Sequence, residues 1–149
     1  PVLKFHLSSA LRLKPTEVAL ARLAKMHEPV YLHQTMGRAK DGSIVRFKDI
    51  PLAMAAIDQL RTLEELRVHF HVPVNADSLS DELSTTNDHL RDAIAVIGKN
   101  PGACRELEIE TYTWEVLPPE VRTADVADMI AAEYRWVLAE LAKAGIKPR

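Results

Sequence analysis

The stretch RVHFHVPVN, Arg67 to Asn75, sets two histidines two residues apart in a run of β-branched and aromatic residues. Side chains alternate along a strand, so His69 and His71 share one side while Val68, Phe70 and Val72 share the other. Two further segments repeat this division. In Val2 to Ser8, VLKFHLS, the apolar Leu3, Phe5 and Leu7 alternate with Lys4, His6 and Ser8. In Arg105 to Trp114, RELEIETYTW, Leu107, Ile109 and Thr111 alternate with Glu108, Glu110 and Tyr112. Three strands with one apolar face each are not strands buried on both sides.

The segments between them read mainly as helices. Thr16 caps one helix running to about His27, and Asp49 caps another over about Pro51 to Leu60, with Leu52, Ala56 and Leu60 on one stripe. Thr86 or Asn87 caps a helix carrying Leu90, Ile94 and Ile97, and Thr123 caps a long one to about Ala144. SALRLK and NADSLSDELSTTND read as loops, and residues 30–47 as a β-hairpin around Asp41-Gly42 or an extended excursion between units. Strands alternating with helices imply βαβ units. With helices over one face and polar groups on the other, the expected fold is α/β, a partial (β/α) barrel. A complete barrel needs about 250 residues, so this chain supplies roughly three or four of the eight units.

At 149 residues the chain fits one domain, residues 1–149. The net charge of −2 and scattered Lys and Arg give no electrostatic reason to expect nucleic acid or an anionic membrane. Cys104 is the only cysteine, which excludes an internal disulfide and a Cys-based zinc site, and it reads as a small buried residue. No apolar run reaches ~18 residues, so no membrane span is expected. PVLKFHL has neither a secretory pattern nor an initiator Met, which suits a cytoplasmic chain that is a piece of something longer.

If the three strands are neighbours, Lys4, His6, Ser8, His69, His71, Glu108, Glu110 and Tyr112 converge on one rim. Imidazole nitrogen with carboxylate oxygen suits Zn²⁺, Mn²⁺, Fe²⁺ or Co²⁺, and the same groups suit acid–base work. Two plainer readings compete: an open sheet whose polar side is solvated, and hydrogen-bonded pairs of purely structural value. His27 at a helix end suits the helix dipole, His89 lies in a first helical turn, and Tyr134 and Trp136 read as packing. His33 is left open.

Taken together, LKFHLSSAL, EPVYLHQ, RVHFHVPV, LSTTNDHL and LEIETYTWEVLPPEVRT resemble the C-terminal part of the metabolite traffic protein EboE family. That family is similar to the xylose-isomerase-like sugar-phosphate isomerases and epimerases. The resemblance implies a barrel with a divalent metal (Zn, Mn, Mg, Fe or Co). His71 or His69, Glu110 or Glu108, and His6 are the metal-ligand candidates, with His71, Glu110 and His6 favoured. Glu108, His69 and Lys4 are the catalytic candidates for proton transfer next to a carbonyl, and Ser8, Tyr112 and Trp114 the substrate-contacting ones. The alternative is a non-catalytic carrier of a small metabolite. Unpaired sheet edges leave a homodimer as a further possibility.

Overall fold

The computed structural model describes residues 2–100, 102–110 and 125–147. In chain order its elements are β1 (Lys4–Leu7), β2 (Ser9–Leu13), α1 (Glu17–Lys25), β3 (Thr35–Arg38) and β4 (Ile44–Phe47). The short helices α2 (Ile50–Ala55) and α3 (Ile57–Leu60) follow, then β5 (Glu65–Val72), β6 (Ser78–Ser80) and β7 (Leu83–Thr85). The helix α4 (Asn87–Lys99), β8 (Glu106–Ile109) and α5 (Val126–Lys143) complete the described part. The chain divides into two compact units: Pro1–Ser9, His71–Asp77 and Thr86–Arg149 form the first, Ala10–Phe70 and Ser78–Thr85 the second.

The sheets overturn the expected barrel. Six strands lie in the order β4-β3-β5-β2-β7-β6. In that sheet β3 runs antiparallel to both β4 and β5, and β7 antiparallel to both β2 and β6. A separate two-stranded sheet pairs β1 with β8 in parallel. A (β/α) barrel needs parallel strands, each followed by a helix. Two tight connections forbid that here, because a short hairpin joins only antiparallel strands. One is the Asp41-Gly42 turn, where Gly42 adopts φ +83°, and the other is Asp81-Glu82 between β6 and β7. Two segments read as loops are strands. SALRLK contains β2, whose Ser9, Leu11 and Leu13 are buried by simple alternation, and the polar NADSLSDELSTTND contains β6 and β7. The fold is mixed α/β with a mostly antiparallel sheet.

In the first unit, α4 and α5 pack together, and the core comprises Leu7, Val74, Leu90, Ile94, Val137 and Leu141. Asp125 caps α5 by accepting from the Ala127 N–H at 2.8 Å; Thr123, the expected cap, lies outside the described residues. Trp136 packs against the core with the Arg91 guanidinium 5.1 Å above its ring, whereas Tyr134 is exposed. Cys104 is buried, and its thiol donates to the Glu106 carbonyl. Gly98 marks the closest approach of α4 to the end of α5: a Cβ there would stand 2.4 Å from the Ala144 carbonyl oxygen. Replacing a helical glycine by alanine normally stabilises by about 1 kcal/mol. Gly98→Ala is expected instead to destabilise by about 1–3 kcal/mol, because backbone must move. A raised denaturation midpoint would show that the helices do not meet at Gly98.

In the second unit, Thr16 caps α1 through Oγ1, which accepts from the Ala19 N–H at 3.2 Å. The helix expected over Pro51 to Leu60 breaks at Ala56, so its buried residues are Ile50, Ala53 and Leu60, and Leu52 is exposed. Along β5, Val68, Phe70 and Val72 are buried as alternation requires. The other face is not uniform: His69 is exposed and His71 buried, at the point where the chain passes from one unit to the other. Among the described residues, no helix is long and apolar enough to cross a membrane.

Candidate functional site

Parallel pairing of β1 with β8 sets His6 opposite Glu108 and Lys4 opposite Glu106. The Glu110 N–H continues this ladder by donating to the Leu7 carbonyl at 3.1 Å. Beyond the ladder's end, Glu110 Oε2 lies 3.8 Å from His6 Nδ1 and 3.7 Å from His71 Nδ1. His71 is buried, Glu110 is half-buried and the His6 side chain is about half exposed. One carboxylate therefore stands between an imidazole facing solvent and an imidazole facing the core. Beside it, Lys4 Nζ donates to Glu108 Oε2 at 2.5 Å. That hydrogen bond, and then the opposite charge, hold Glu108 below the usual carboxylate range and raise Lys4 above its ordinary value. A carboxylate held in this way is a weak proton acceptor, which counts against Glu108 as the group that moves a proton.

The other candidates are placed differently. His69 belongs to the second unit, where its backbone N–H donates to the Gln34 carbonyl at 2.8 Å. Ser8 is half-buried between β1 and β2. Tyr112 and Trp114 lie outside the described residues.

A second cluster was not anticipated. His27, which follows α1, His33, which precedes β3, and Asp49, which caps α2, each offer a ligand atom within 4.8 Å of the others. Among the described residues this is the group of three whose donors all approach one another so closely; those of His6, Glu110 and His71 do not. His33 is 4% exposed, and its ring stacks on Phe70 with centroids 5.0 Å apart. Burial lowers its pKa against the opposing pull of Asp49 and Glu28. Burial pushes Asp49 up, but the N–H groups of His33 and Ile50, both donating to it, bring it below the usual range. At neutral pH the pair is therefore a neutral imidazole beside an ionised carboxylate.

A surface recess of about 500 Å³ lies elsewhere in the second unit, lined by Arg12, Lys14, Arg38, Glu64, Glu65 and Ser84 among others. Neither cluster lines it. Its charges are of both signs, and Arg38 approaches Glu65 to 3.7 Å, so it lacks the uniform field that would select an ionic ligand.

Comparison with protein-family models, with curated proteins and with solved structures finds no match to this chain.

Proposed function

We propose that the His6–Glu110–His71 cluster binds a small polar metabolite at a divalent-metal centre. The observation that supports this reading is the position of Glu110 Oε2, 3.7–3.8 Å from an imidazole nitrogen on either side. Ligand atoms sharing one tetrahedral ion at about 2.0–2.1 Å stand roughly 3.4 Å apart. Closing on a bound ion would require the half-exposed His6 to swing inward, while His71 is held by burial. A bound ion would polarise a substrate carbonyl and hold its oxygens. Proton transfer next to that carbonyl is the reaction such a set serves, with Lys4 available to neutralise developing negative charge. The likeness of RVHFHVPV and LEIETYTW to a metabolite traffic family supports the ligand class; the barrel implied by that likeness is no part of the reading. A second reading has its own observation: the two histidines sit too far apart to belong to one tight ligand set, which suits a metal-free imidazole–carboxylate–imidazole relay.

Titration calorimetry of the full chain with Mn²⁺ or Zn²⁺ separates the two. The metal reading expects affinity at least tenfold weaker in His71→Ala and in the exposed variant His6→Ala, about 1.4 kcal/mol each. Unchanged affinity in both, with circular dichroism intact, would remove the metal. The relay reading then expects Glu110→Gln to change the imidazole ring nitrogen chemical shifts of both His6 and His71, since each loses its neighbouring carboxylate. Unmoved ring shifts would sink it.

A further inference from the structure

The geometry points to an open binding site for a divalent transition-metal ion of the Zn²⁺ class, formed by His27, His33 and Asp49 in the second unit. Two observations carry it independently of the His6–Glu110–His71 reading.

The first is convergence by construction. The β3–β4 register pairs Thr35 with Phe47 and Met36 with Arg46; continued two residues outward, it sets His33 opposite Asp49. The His33 N–H donates to Asp49 Oδ1 at 3.0 Å and locks that placement. Asp49 Oδ1 also accepts from the Ile50 N–H at 2.8 Å, which commits one carboxylate oxygen to the backbone and leaves Oδ2 for a further partner. His27 is brought in from the other side by the return from α1. That return is fixed by the Glu28 carboxylate, which accepts from the N–H groups of Val30 and Tyr31.

The second is an orphaned atom. His33 Nδ1 is buried, has no hydrogen-bond partner among the described residues, and lies 3.9 Å from Asp49 Oδ1, beyond hydrogen-bond reach. A buried ring nitrogen without a partner is costly, and such groups are rare in native proteins. A bound cation would satisfy it. Two imidazoles and one carboxylate suit Zn²⁺, Co²⁺ or Fe²⁺ better than Mg²⁺ or Ca²⁺, which prefer oxygen throughout. Because His27 is exposed, the cluster is reachable from solvent, as in sites that admit an exogenous ligand rather than sealed structural ones.

The test is titration of the full chain with Co²⁺, read by its visible absorption, and with Zn²⁺, read by calorimetry. The expected result is an ion whose paramagnetic broadening centres on the His27, His33 and Asp49 amides, distinct from any ion at His6 and His71. Affinity should fall at least tenfold in His27→Ala, which removes no core contact, and in Asp49→Asn, which keeps the helix cap. His6→Ala should leave this ion in place, so loss of either metal site is read separately. Full affinity in both His27→Ala and Asp49→Asn, or broadening confined to His6 and His71, would overturn the assignment.

Discussion

Glu133→Gln is expected to make the protein more stable above pH 7, by about 3 kcal/mol, and to flatten its stability across the mildly acidic range. Glu133 projects from α5 and is 1% exposed. Its Oε1 accepts from the Val74 N–H at 2.8 Å, while its buried Oε2 has no hydrogen-bond partner among the described residues. Burial pushes its pKa from 4.5 up to about 7, against the smaller opposing effect of the Val74 hydrogen bond. The folded state therefore keeps this proton after the unfolded chain has lost it. With the folded value the higher of the two, stability is greatest below about pH 4.5 and declines as pH rises to about 7. Above that, the folded state carries an ionised carboxylate in its core. Glutamine keeps the acceptor for Val74 and carries no charge. Denaturant titrations of both proteins over this range check it, read by Trp136 fluorescence, which reports on the same unit. An identical pH slope in the variant would mean that Glu133 reaches water.

Phe70→Ala is the other large effect, an expected loss of about 3–5 kcal/mol from the second unit. Phe70 is among the largest fully buried side chains, and truncation removes its transfer energy and leaves a cavity beside a rigid sheet. The same ring covers the His33 imidazole, so its removal lets water reach His33 and should return that pKa toward its ordinary value. Amide exchange along β3 and β5 measures the first effect, and NMR titration of His33 the second. A loss below about 1 kcal/mol would place the ring at a surface.

Much of the local structure was legible in the sequence. Thr16 and Asp49 act as helix caps, Asp41-Gly42 makes the turn, and the 3.6-residue spacing of Leu90 with Ile94 and of Val137 with Leu141 gives the buried stripes. The alternation in VLKFHLS and LEIE put Lys4, His6, Glu108 and Glu110 on shared faces, and the parallel β1–β8 pairing brings them together. What periodicity does not encode is pairing direction. The same alternation serves a parallel or an antiparallel neighbour, so neither the element order nor the one-sided strands could fix a barrel. In SALRLK the polar Arg12 and Lys14 mask the alternation that buries Leu11 and Leu13. The second cluster was missed because His27 and Asp49 each already had a local explanation, a helix end and a helix cap. The hairpin register was the signal: a turn centred on Asp41 puts residue 33 across from residue 49.

The two compact units are woven from one thread. The chain passes between them four times, after Ser9, Phe70, Asp77 and Thr85. β2 and β5 are each divided by such a crossing, so a single strand begins in one unit and ends in the other. No single cut of the polypeptide separates the units, and neither can be excised as one contiguous piece. Each must wait for sequence that lies on the far side of the other, so their assembly is bound to long-range closure rather than to stepwise completion from one end.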